Sequence, residues 1–226
     1  MEYPNIRVGI FLARPNRFIA QVEINGVIEN CHVKNTGRCR ELLIPGTTVY
    51  VQEHDDPKRK TKFSLIGVRK GERLINMDSQ APNSVVEEWL PVSGLFGEIT
   101  KIQREAAYGN SRFDFYIEAD GKRIFAEIKG VTLEENNVVR FPDAPTQRGV
   151  KHLRELVECR MQGYDAYVIF VVQMKDVASF SPNEATDPDF AQALRQAKES
   201  GVKIVAVDCL VTESRIEIRD RVPVLL

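Results

Sequence analysis

Residues 112–129 read RFDFYIEADGKRIFAEIK, and this stretch decides the fold of the C-terminal part of the chain. Its apolar side chains at 113, 115 and 117 recur with the two-residue period of a strand, so Asp114 faces the opposite side. Asp120-Gly121 is a pair typical of a tight hairpin turn, and a second strand follows over 123–133. The stretch therefore predicts two neighbouring antiparallel strands joined by a short turn.

Two acids and one amine lie along these strands. Glu127 and Lys129 are two residues apart and share one side of the second strand, and the short turn is expected to place Asp114 beside Glu127. Two carboxylates that close repel each other unless a proton or a cation neutralises them. We therefore predict that Asp114 and Glu127 bind Mg²⁺ or Mn²⁺, which prefer hard oxygen ligands. Lys129 would orient water and stabilise charge on a phosphate. The alternative is an ordinary exposed ion pair between Glu127 and Lys129.

The segments around this hairpin alternate between strands and helices. A strand over 101–108 precedes it, and before that strand comes a short helix over 85–90, capped by Asn83 or Ser84. The following segments are a helix over 146–162, a strand over 167–172, a helix over 187–199 and a strand over 203–208. The continuous apolar run of 167–172 is typical of a strand buried on both faces. This order predicts a mixed sheet flanked by helices.

This order of elements resembles the PD-(D/E)xK nuclease superfamily, whose core is a helix, a three-strand meander, a helix and a strand. Asp114 matches the aspartate of the superfamily, and residues 127–129 match its (D/E)xK tripeptide. The proline that usually precedes the aspartate is absent, and Phe113 stands in its place. The resemblance implies a phosphodiesterase centre that depends on a divalent metal. It also implies a third carboxylate from the preceding helix, for which Glu88 is the first candidate and Glu87 a competitor.

The first 80 residues have a different character, because they read as short strands separated by turns. Segments rich in Val, Ile, Phe and Tyr occur at 6–12, 18–24, 27–33, 47–51, 63–68 and 73–77. Asn25-Gly26 between two of them is a strong hairpin signal. Such a set predicts a small OB-like β-barrel, with an SH3-like barrel as the alternative. We therefore expect an α/β (α+β) chain with a barrel in residues 1–80 and a nuclease-like mixed sheet in residues 81–226.

Clusters of basic side chains favour a polyanion such as DNA as a partner, contacted through its phosphates with little sequence preference. Residues 1–86 contain 13 Lys and Arg against 9 Asp and Glu, whereas the remainder contains 18 against 23. Around Gly37 the backbone is expected to approach a phosphate closely. The predicted DNA contacts are Lys34, Asn35 and Arg38 near Gly37, Lys58, Arg59, Lys60 and Lys62 in the barrel, and Arg148, Lys151 and His152 on the helix over 146–162. A basic surface that merely keeps the chain soluble is the alternative.

Composition excludes a collagen-like, a low-complexity and a wholly disordered chain. The chain has 226 residues, of which 43% are hydrophobic and 28% charged, as in ordinary globular proteins. No apolar run approaches the roughly 20 residues of a transmembrane helix, and no signal peptide is visible at the N-terminus. The four cysteines form no CxxC pair: Cys31, Cys39, Cys159 and Cys209. We therefore expect free thiols, a cytoplasmic location and no association with a membrane.

Six segments along the chain together resemble one family over nearly the full length. They are NTGR at 35–38, PKRK at 57–60, RFDF at 112–115, EIKGVTL at 127–133, FPDA at 141–144 and TQRGVKHLREL at 146–156. Their sequence and order resemble the sugar fermentation stimulation protein A (SfsA) family. Many members have Cys-Pro-Asn-Thr-Gly where this chain has HVKNTG at 32–37.

The resemblance implies an N-terminal OB fold, a PD-(D/E)xK-type domain and DNA binding without strong sequence preference. It also implies a role in regulating sugar metabolism, notably that of maltose. In the leading hypothesis the catalytic residues are Asp114, Glu127, Lys129 and Glu88. Two alternatives stay open. The chain is a DNA-binding regulator on an inactive nuclease fold, or it is a binding module for a small sugar or nucleotide, although it contains no phosphate loop and no GxGxxG motif.

Overall fold

The computed structural model describes residues 1–35, 37–109 and 111–226, so Thr36 of the NTGR segment lies outside the described residues. The helices are α1 (Ala81–Trp89), α2 (Gln147–Met161) and α3 (Pro188–Glu199), with a 3₁₀ turn at Leu90–Val92. The strands of the N-terminal part are β1 (Ile6–Asn16), β2 (Ile19–Ile24), β3 (Val27–Val33), β4 (Thr48–Glu53), β5 (Phe63–Lys70) and β6 (Arg73–Asn76). The later strands are β7 (Ile99–Tyr108), β8 (Ser111–Ala119), β9 (Lys122–Val131), β10 (Leu133–Glu135), β11 (Val138–Phe141), β12 (Asp165–Val172), β13 (Ser179–Pro182), β14 (Lys203–Val211) and β15 (Ile216–Arg221).

The N-terminal strands close into a five-stranded barrel. Their order is β3-β2-β1-β4-β5, and a parallel pairing of β3 with β5 completes the ring. Every second side chain of β2 is buried, at Ala20, Val22 and Ile24. Asn25 and Gly26 have φ values of 51° and 80°, as a two-residue hairpin turn requires. This topology confirms the OB-like prediction rather than the SH3-like alternative.

The C-terminal part forms the predicted mixed sheet, with the strand order β15-β14-β12-β9-β8-β7. β12 runs parallel to β9 and β14, whereas β7, β8 and β9 form an antiparallel meander. Buried side chains of α1 pack on one face of this sheet, and those of α2 and α3 pack on the other. The helix, meander, helix and strand of the predicted core are therefore present in order. The division of the chain at residue 80 stays a prediction.

Local signals set where the helices begin. Thr146 Oγ1 accepts a hydrogen bond from Gly149 N at 3.0 Å, and Asp187 Oδ1 accepts one from Phe190 N at 3.0 Å. Both are N-cap contacts, so α2 and α3 start where the sequence predicts. The start of α1 was predicted wrongly, because it follows Gln80 and has a proline in its first turn. Proline is well tolerated there, since the first helical N–H groups lack partners.

A buried polar network joins the barrel to the mixed sheet. Gln173, just beyond β12, donates through Nε2 to Asn76 O at 3.1 Å, to Asn76 Oδ1 at 2.9 Å and to Asp78 O at 3.0 Å. The Asp78 side chain is 0% exposed, and its Oδ2 accepts from Lys34 Nζ at 2.6 Å. The chain before α1 and the loop after β3 are thereby fixed against the end of β12.

The Lys34 ammonium is expected to contribute mainly to stability rather than to DNA affinity. The substitution Lys34→Met leaves a buried carboxylate without its cation, a loss that typically costs about 3–5 kcal/mol. The free energy of unfolding in urea measures this cost. Lys62→Met is the matched control, because Lys62 pairs with Glu53 on the surface at 2.6 Å and should matter much less to stability. Equal stability of the two variants would contradict the structural role of Lys34.

Within the described residues, no helix has the length and apolar character that crossing a membrane requires. The four cysteines are buried and unpaired with one another, as expected from their spacing. Burial raises the pKa of the Cys31 thiol and of the Cys39 thiol to about 12. These thiols are therefore protonated and inert at neutral pH.

Candidate active site

The pairing of β8 with β9 brings two carboxylates and one amine together. Phe115 lies opposite Ala126, so the preceding residue of β8, Asp114, reaches the segment of β9 that carries Glu127. Asp114 Oδ2 accepts a hydrogen bond from Ile128 N at 2.7 Å. On the neighbouring strand Lys129 Nζ donates to Glu127 Oε1 at 2.5 Å. The three groups therefore lie close together, and the charges of Glu127 and Lys129 both act on the Asp114 carboxylate.

Helices on both sides of the sheet hold the two carboxylates. Asn83 of α1 donates from Nδ2 to Asp114 Oδ1 at 2.8 Å. His152 of α2 contacts Glu127 Oε1 through Nδ1. The sequence predicted Asn83 as a possible cap of α1. In the structure its side chain instead orients the Asp114 carboxylate. The structure does not favour the predicted contact of His152 with DNA, because the residue is 5% exposed and its Nδ1 atom meets Glu127.

The pKa values of the two carboxylates are shifted in opposite directions. Burial raises the pKa of Asp114, and the negative charge of Glu127 raises it further, against weaker effects of the Ile128 N–H and Asn83. Burial also raises the pKa of Glu127, but the hydrogen bonds and charges of His152 and Lys129 outweigh it and hold that pKa below its ordinary value. Repulsion between the carboxylates therefore shows mainly in the raised pKa of Asp114.

One carboxylate oxygen of this pair has no hydrogen-bond donor. Its surroundings show whether a cation would fit there. Glu127 is 4% exposed, and its Oε2 atom is buried without a hydrogen-bond donor. A buried carboxylate oxygen without a donor is costly unless an ion or water binds it. Among the described residues no group of three or more His, Cys, Asp or Glu side chains could hold a metal. Two carboxylates with water completing the shell suit Mg²⁺, which retains several waters, so the residues present fit a hard divalent cation.

The raised pKa of Asp114 predicts how the stability of the metal-free protein depends on pH. The folded state holds this proton more tightly than the unfolded chain, whose aspartates titrate near about pH 4. The contribution of Asp114 to stability is therefore most favourable below about pH 4. It declines as the pH rises through the pKa of Asp114 in the folded state. Urea unfolding with EDTA should show the advantage of wild type over Asp114→Asn shrinking as the pH rises above about 4. A constant difference between the two proteins would contradict a raised pKa of Asp114, which burial and the charge of Glu127 produce.

The third carboxylate that the resemblance implied lies elsewhere. Glu88 Oε2 accepts from the N-terminal amine of Met1 at 2.6 Å, and its side chain is mostly exposed. Glu87 pairs with Arg104 at 3.3 Å. Five residues separate Asn83 from Glu88, which turns Glu88 away from the side of α1 that faces Asp114. The structure therefore does not bring Glu88 to the carboxylate pair, contrary to what the resemblance implied, and the α1 side chain that contacts Asp114 is Asn83.

The loop after β3 is shaped by the protein's own groups. Asn35 Oδ1 accepts from Gly37 N at 2.8 Å, and Arg14 donates to the carbonyls of Asn35 and Gly37 at 2.8 Å each. A Cβ atom on Gly37 would overlap the carboxylate of Asp143. The close approach predicted for a phosphate is thus taken by Asp143, whose Oδ2 accepts from Arg38 N at 2.9 Å. The Arg38 side chain is exposed.

The loop between β4 and β5 presents three exposed cations. Lys58, Arg59 and Lys60 are exposed, and among the described residues neither Lys58 nor Lys60 forms an ion pair. Arg59 is anchored by a hydrogen bond from Nη2 to Ser64 Oγ at 2.9 Å. Lys62 pairs with Glu53, so its charge is partly neutralised and less able to attract a phosphate than predicted.

Two histidines, His32 and His54, lie near these cations and were not singled out by any motif. His54 Nε2 contacts Ser64 Oγ at 2.9 Å. Burial lowers the pKa of both His32 and His54, and the positive charges of Arg59 and Lys34 lower it further. Arg59 and Lys34 therefore exert a positive potential on both imidazoles, which Asp55 and Asp56 partly offset at His54. The loop after β3 lines a cavity of about 190 Å³ together with Gly130, the residue after Lys129.

A second basic surface lies on the other side of the carboxylates. Arg148, Lys151 and Arg112 line an open cavity of about 680 Å³, to which His152 also contributes. Arg148 and Lys151 are exposed on α2, and Lys151 has a weak ion pair with Glu155 at 3.5 Å. We call this the α2 cavity. One of its cations, Arg148, donates from Nε to Nε2 of His152 at 3.4 Å, and His152 in turn contacts Glu127.

Two family models match the chain. The "SfsA N-terminal OB domain" matches residues 12–77, and the "Sugar fermentation stimulation protein RE domain" matches residues 80–215. Together they account for the barrel and for most of the mixed sheet and its helices.

Relatives extend this likeness to the full length. A sugar fermentation stimulation protein homolog from Clostridium beijerinckii is 64% identical, with 100% of both chains covered. One from Desulfitobacterium hafniense is 62% identical, with 100% of this chain and 99% of the relative covered. The solved structure of SfsA from Pyrococcus furiosus in complex with Ca²⁺ is 31% identical, with a TM-score of 0.89, and the match covers 100% of this chain and 98% of that chain. The chain therefore belongs to the sugar fermentation stimulation protein family.

Proposed function

We propose that this chain is a DNA-binding protein, largely indifferent to base sequence, with a Mg²⁺-dependent phosphodiesterase centre at Asp114, Glu127 and Lys129. The observation that carries the proposal is the buried Glu127 Oε2 atom without a donor, beside a second carboxylate and an ammonium group. A purely structural ion pair has no need of a second buried acid, because burying charge is costly. The Ca²⁺ in the Pyrococcus furiosus structure supports a divalent-cation site in the family.

Each residue of the centre has a role that follows from its contacts. Asp114 and Glu127 would hold the cation, which when bound withdraws charge from a phosphate oxygen and acidifies water. Asn83 and the Ile128 N–H keep Asp114 oriented. The Lys129 ammonium carries its charge at 15% exposure beside Glu127, where it can donate to the attacking water or to a phosphate oxygen. A preorganised donor in a partly dry site stabilises developing negative charge strongly.

The two basic surfaces would position the strand. Lys58, Arg59 and Lys60 offer exposed cations on the barrel, and Arg148 and Lys151 do so along α2. Contacts of this kind go to phosphates, so they carry no base information and release counterions on binding. OB barrels commonly bind single strands on such loops and faces. This chemistry supports a sequence-tolerant partner rather than a small sugar.

Cleavage of labelled single- and double-stranded oligonucleotides tests the proposed activity. Wild-type protein is expected to cut in Mg²⁺ or Mn²⁺ and to be silent in EDTA, while Asp114→Asn is silent throughout. Binding without cleavage, unaffected by the metal, would instead support the alternative of a DNA-binding regulator of sugar metabolism on an inactive nuclease fold. Thermal stabilisation by maltose but not by DNA would reject both hypotheses.

The salt dependence of DNA binding is expected to report the exposed lysines of the β4–β5 loop. In a Lys58→Ala/Lys60→Ala variant two phosphate contacts are lost, so the slope of log affinity against log salt should become shallower by about 1–2. Fluorescence anisotropy with two unrelated sequences measures this slope. The matched control is Lys122→Ala/Lys101→Ala, which removes two exposed lysines, one from the start of β9 and one from β7. Equal slopes for wild type and the loop variant would remove the loop from the interface.

A further inference from the structure

A chain of three side chains connects the α2 cavity to Glu127. Arg148 Nε donates to His152 Nε2 at 3.4 Å, and His152 Nδ1 contacts Glu127 Oε1. Arg148 is exposed and lines the cavity, whereas His152 and Glu127 are buried. The chain therefore runs from solvent to the centre through one buried imidazole.

The hydrogen bonds define the tautomer of this imidazole. An arginine Nε–H is only a donor, so the His152 Nε2 atom that it meets must accept. In the neutral ring the proton then lies on Nδ1, which donates to Glu127 Oε1. Lys129 donates to the same oxygen. Both donors converge on Oε1, and the other oxygen, Oε2, is left free for a cation.

We propose, on the basis of the proposed function, that His152 is a positioning residue that couples cation binding at Glu127 to phosphate binding by Arg148 in the α2 cavity. A phosphate bound by the terminal nitrogens of Arg148 fixes its guanidinium, and the fixed Nε–H holds the ring of His152. The held ring in turn keeps Glu127 Oε2 aimed at the cation. Groups that orient a metal ligand from behind commonly change metal affinity by about 10–100-fold.

The coupling has a thermodynamic consequence. If each ligand strengthens the chain that the other uses, the affinity for the cation rises when DNA is bound, and the affinity for DNA rises by the same factor when the cation is bound. Lys151 shares the cavity but has its contact with Glu155 rather than His152. It should therefore contribute to DNA affinity without contributing to the coupling.

Calorimetric titration of Ca²⁺, with and without a saturating short oligonucleotide, tests this inference in the whole protein. Wild type is expected to bind Ca²⁺ at least about 5-fold more tightly with the oligonucleotide. Arg148→Ala and His152→Ala should reduce the factor to about 1, and Lys151→Ala should weaken DNA binding yet keep the wild-type factor. Arg148 is exposed, so its variant tests the inference even if His152→Ala unfolds.

The outcomes separate the two proposals. If wild type binds Ca²⁺ with the same affinity with and without DNA, the coupling is refuted while the cation site of the proposed function stands. If the Arg148→Ala factor equals that of wild type, the assigned path through His152 is refuted. If wild type binds no Ca²⁺ at all, the proposed function itself fails.

Discussion

Lys129→Met is expected to lower the rate of metal-dependent DNA cleavage by about 100- to 1,000-fold, the usual cost of removing one preorganised donor from a charged transition state. Methionine keeps the length of the side chain and removes only the ammonium that lies 2.5 Å from Glu127. Affinity for the cation should change much less, because two carboxylates remain. Single-turnover cleavage in Mn²⁺, with Ca²⁺ binding measured on the same protein, separates the two effects.

The chain provides a matched control for this substitution. Lys70 also pairs with a buried glutamate, Glu134, at 2.6 Å, but it lies on β5 away from the carboxylate pair. Lys70→Met should therefore lose stability to a similar extent and keep the wild-type rate of the folded protein. Cleavage by Lys129→Met at the wild-type rate would show that Lys129 is only half of an ion pair.

Glu127→Gln is expected to reduce the affinity for divalent cations more than any other single change. Glutamine keeps the size of the side chain and can still accept from Lys129 and His152, but it supplies no charge at the position of Oε2. Loss of a ligand should exceed the roughly 10–100-fold cost of losing a group that only orients one. Titration with Ca²⁺ or Mn²⁺ measures the affinity, and cleavage should disappear with it.

Glu134→Gln controls for the burial of a neutral amide. Glu134 is 5% exposed and pairs with Lys70 and Arg73, so it matches Glu127 in burial and in its cationic neighbours. Cation affinity of Glu134→Gln should equal that of wild type. An equal loss of affinity in both variants would mean that the cation responds to general destabilisation rather than to Glu127.

Sequence periodicity was sufficient for the order of the elements, but the alternation predicted for β8 holds only in part. Phe115 and Ile117 pack in the cluster of α1, whereas Phe113 packs in the cluster of α2 and α3. The alternation in β8 and the position of the (D/E)xK tripeptide on β9 depend on the period of a strand, which acts over a few residues. The hairpin between the strands then leaves little freedom in how Asp114 meets the next strand. The OB-like barrel was similarly predictable, because Asn25-Gly26 and the short apolar runs are local signals.

Side chains whose role depends on distant partners could not be predicted. Asn83 is a good helix cap in isolation, yet tertiary packing aims it at Asp114, which is 31 residues away. Lys34 reads as a phosphate ligand until the fold brings the buried Asp78 to it. The spacing of Arg148 and His152 placed both on one side of α2, but only the position of β9 shows that this side is buried at His152. In each case the sequence predicted a local or solvent-facing role, and the structure gives the side chain a long-range contact instead.

The central claim is that one divalent cation binds between Asp114 and Glu127. The most direct measurement is the anomalous difference density of a crystal soaked in Mn²⁺. We predict one strong peak within about 2.0–2.6 Å of Glu127 Oε2 and of an Asp114 carboxylate oxygen, absent from crystals of Glu127→Gln. A peak elsewhere, or equal density in the two crystals, would contradict the account.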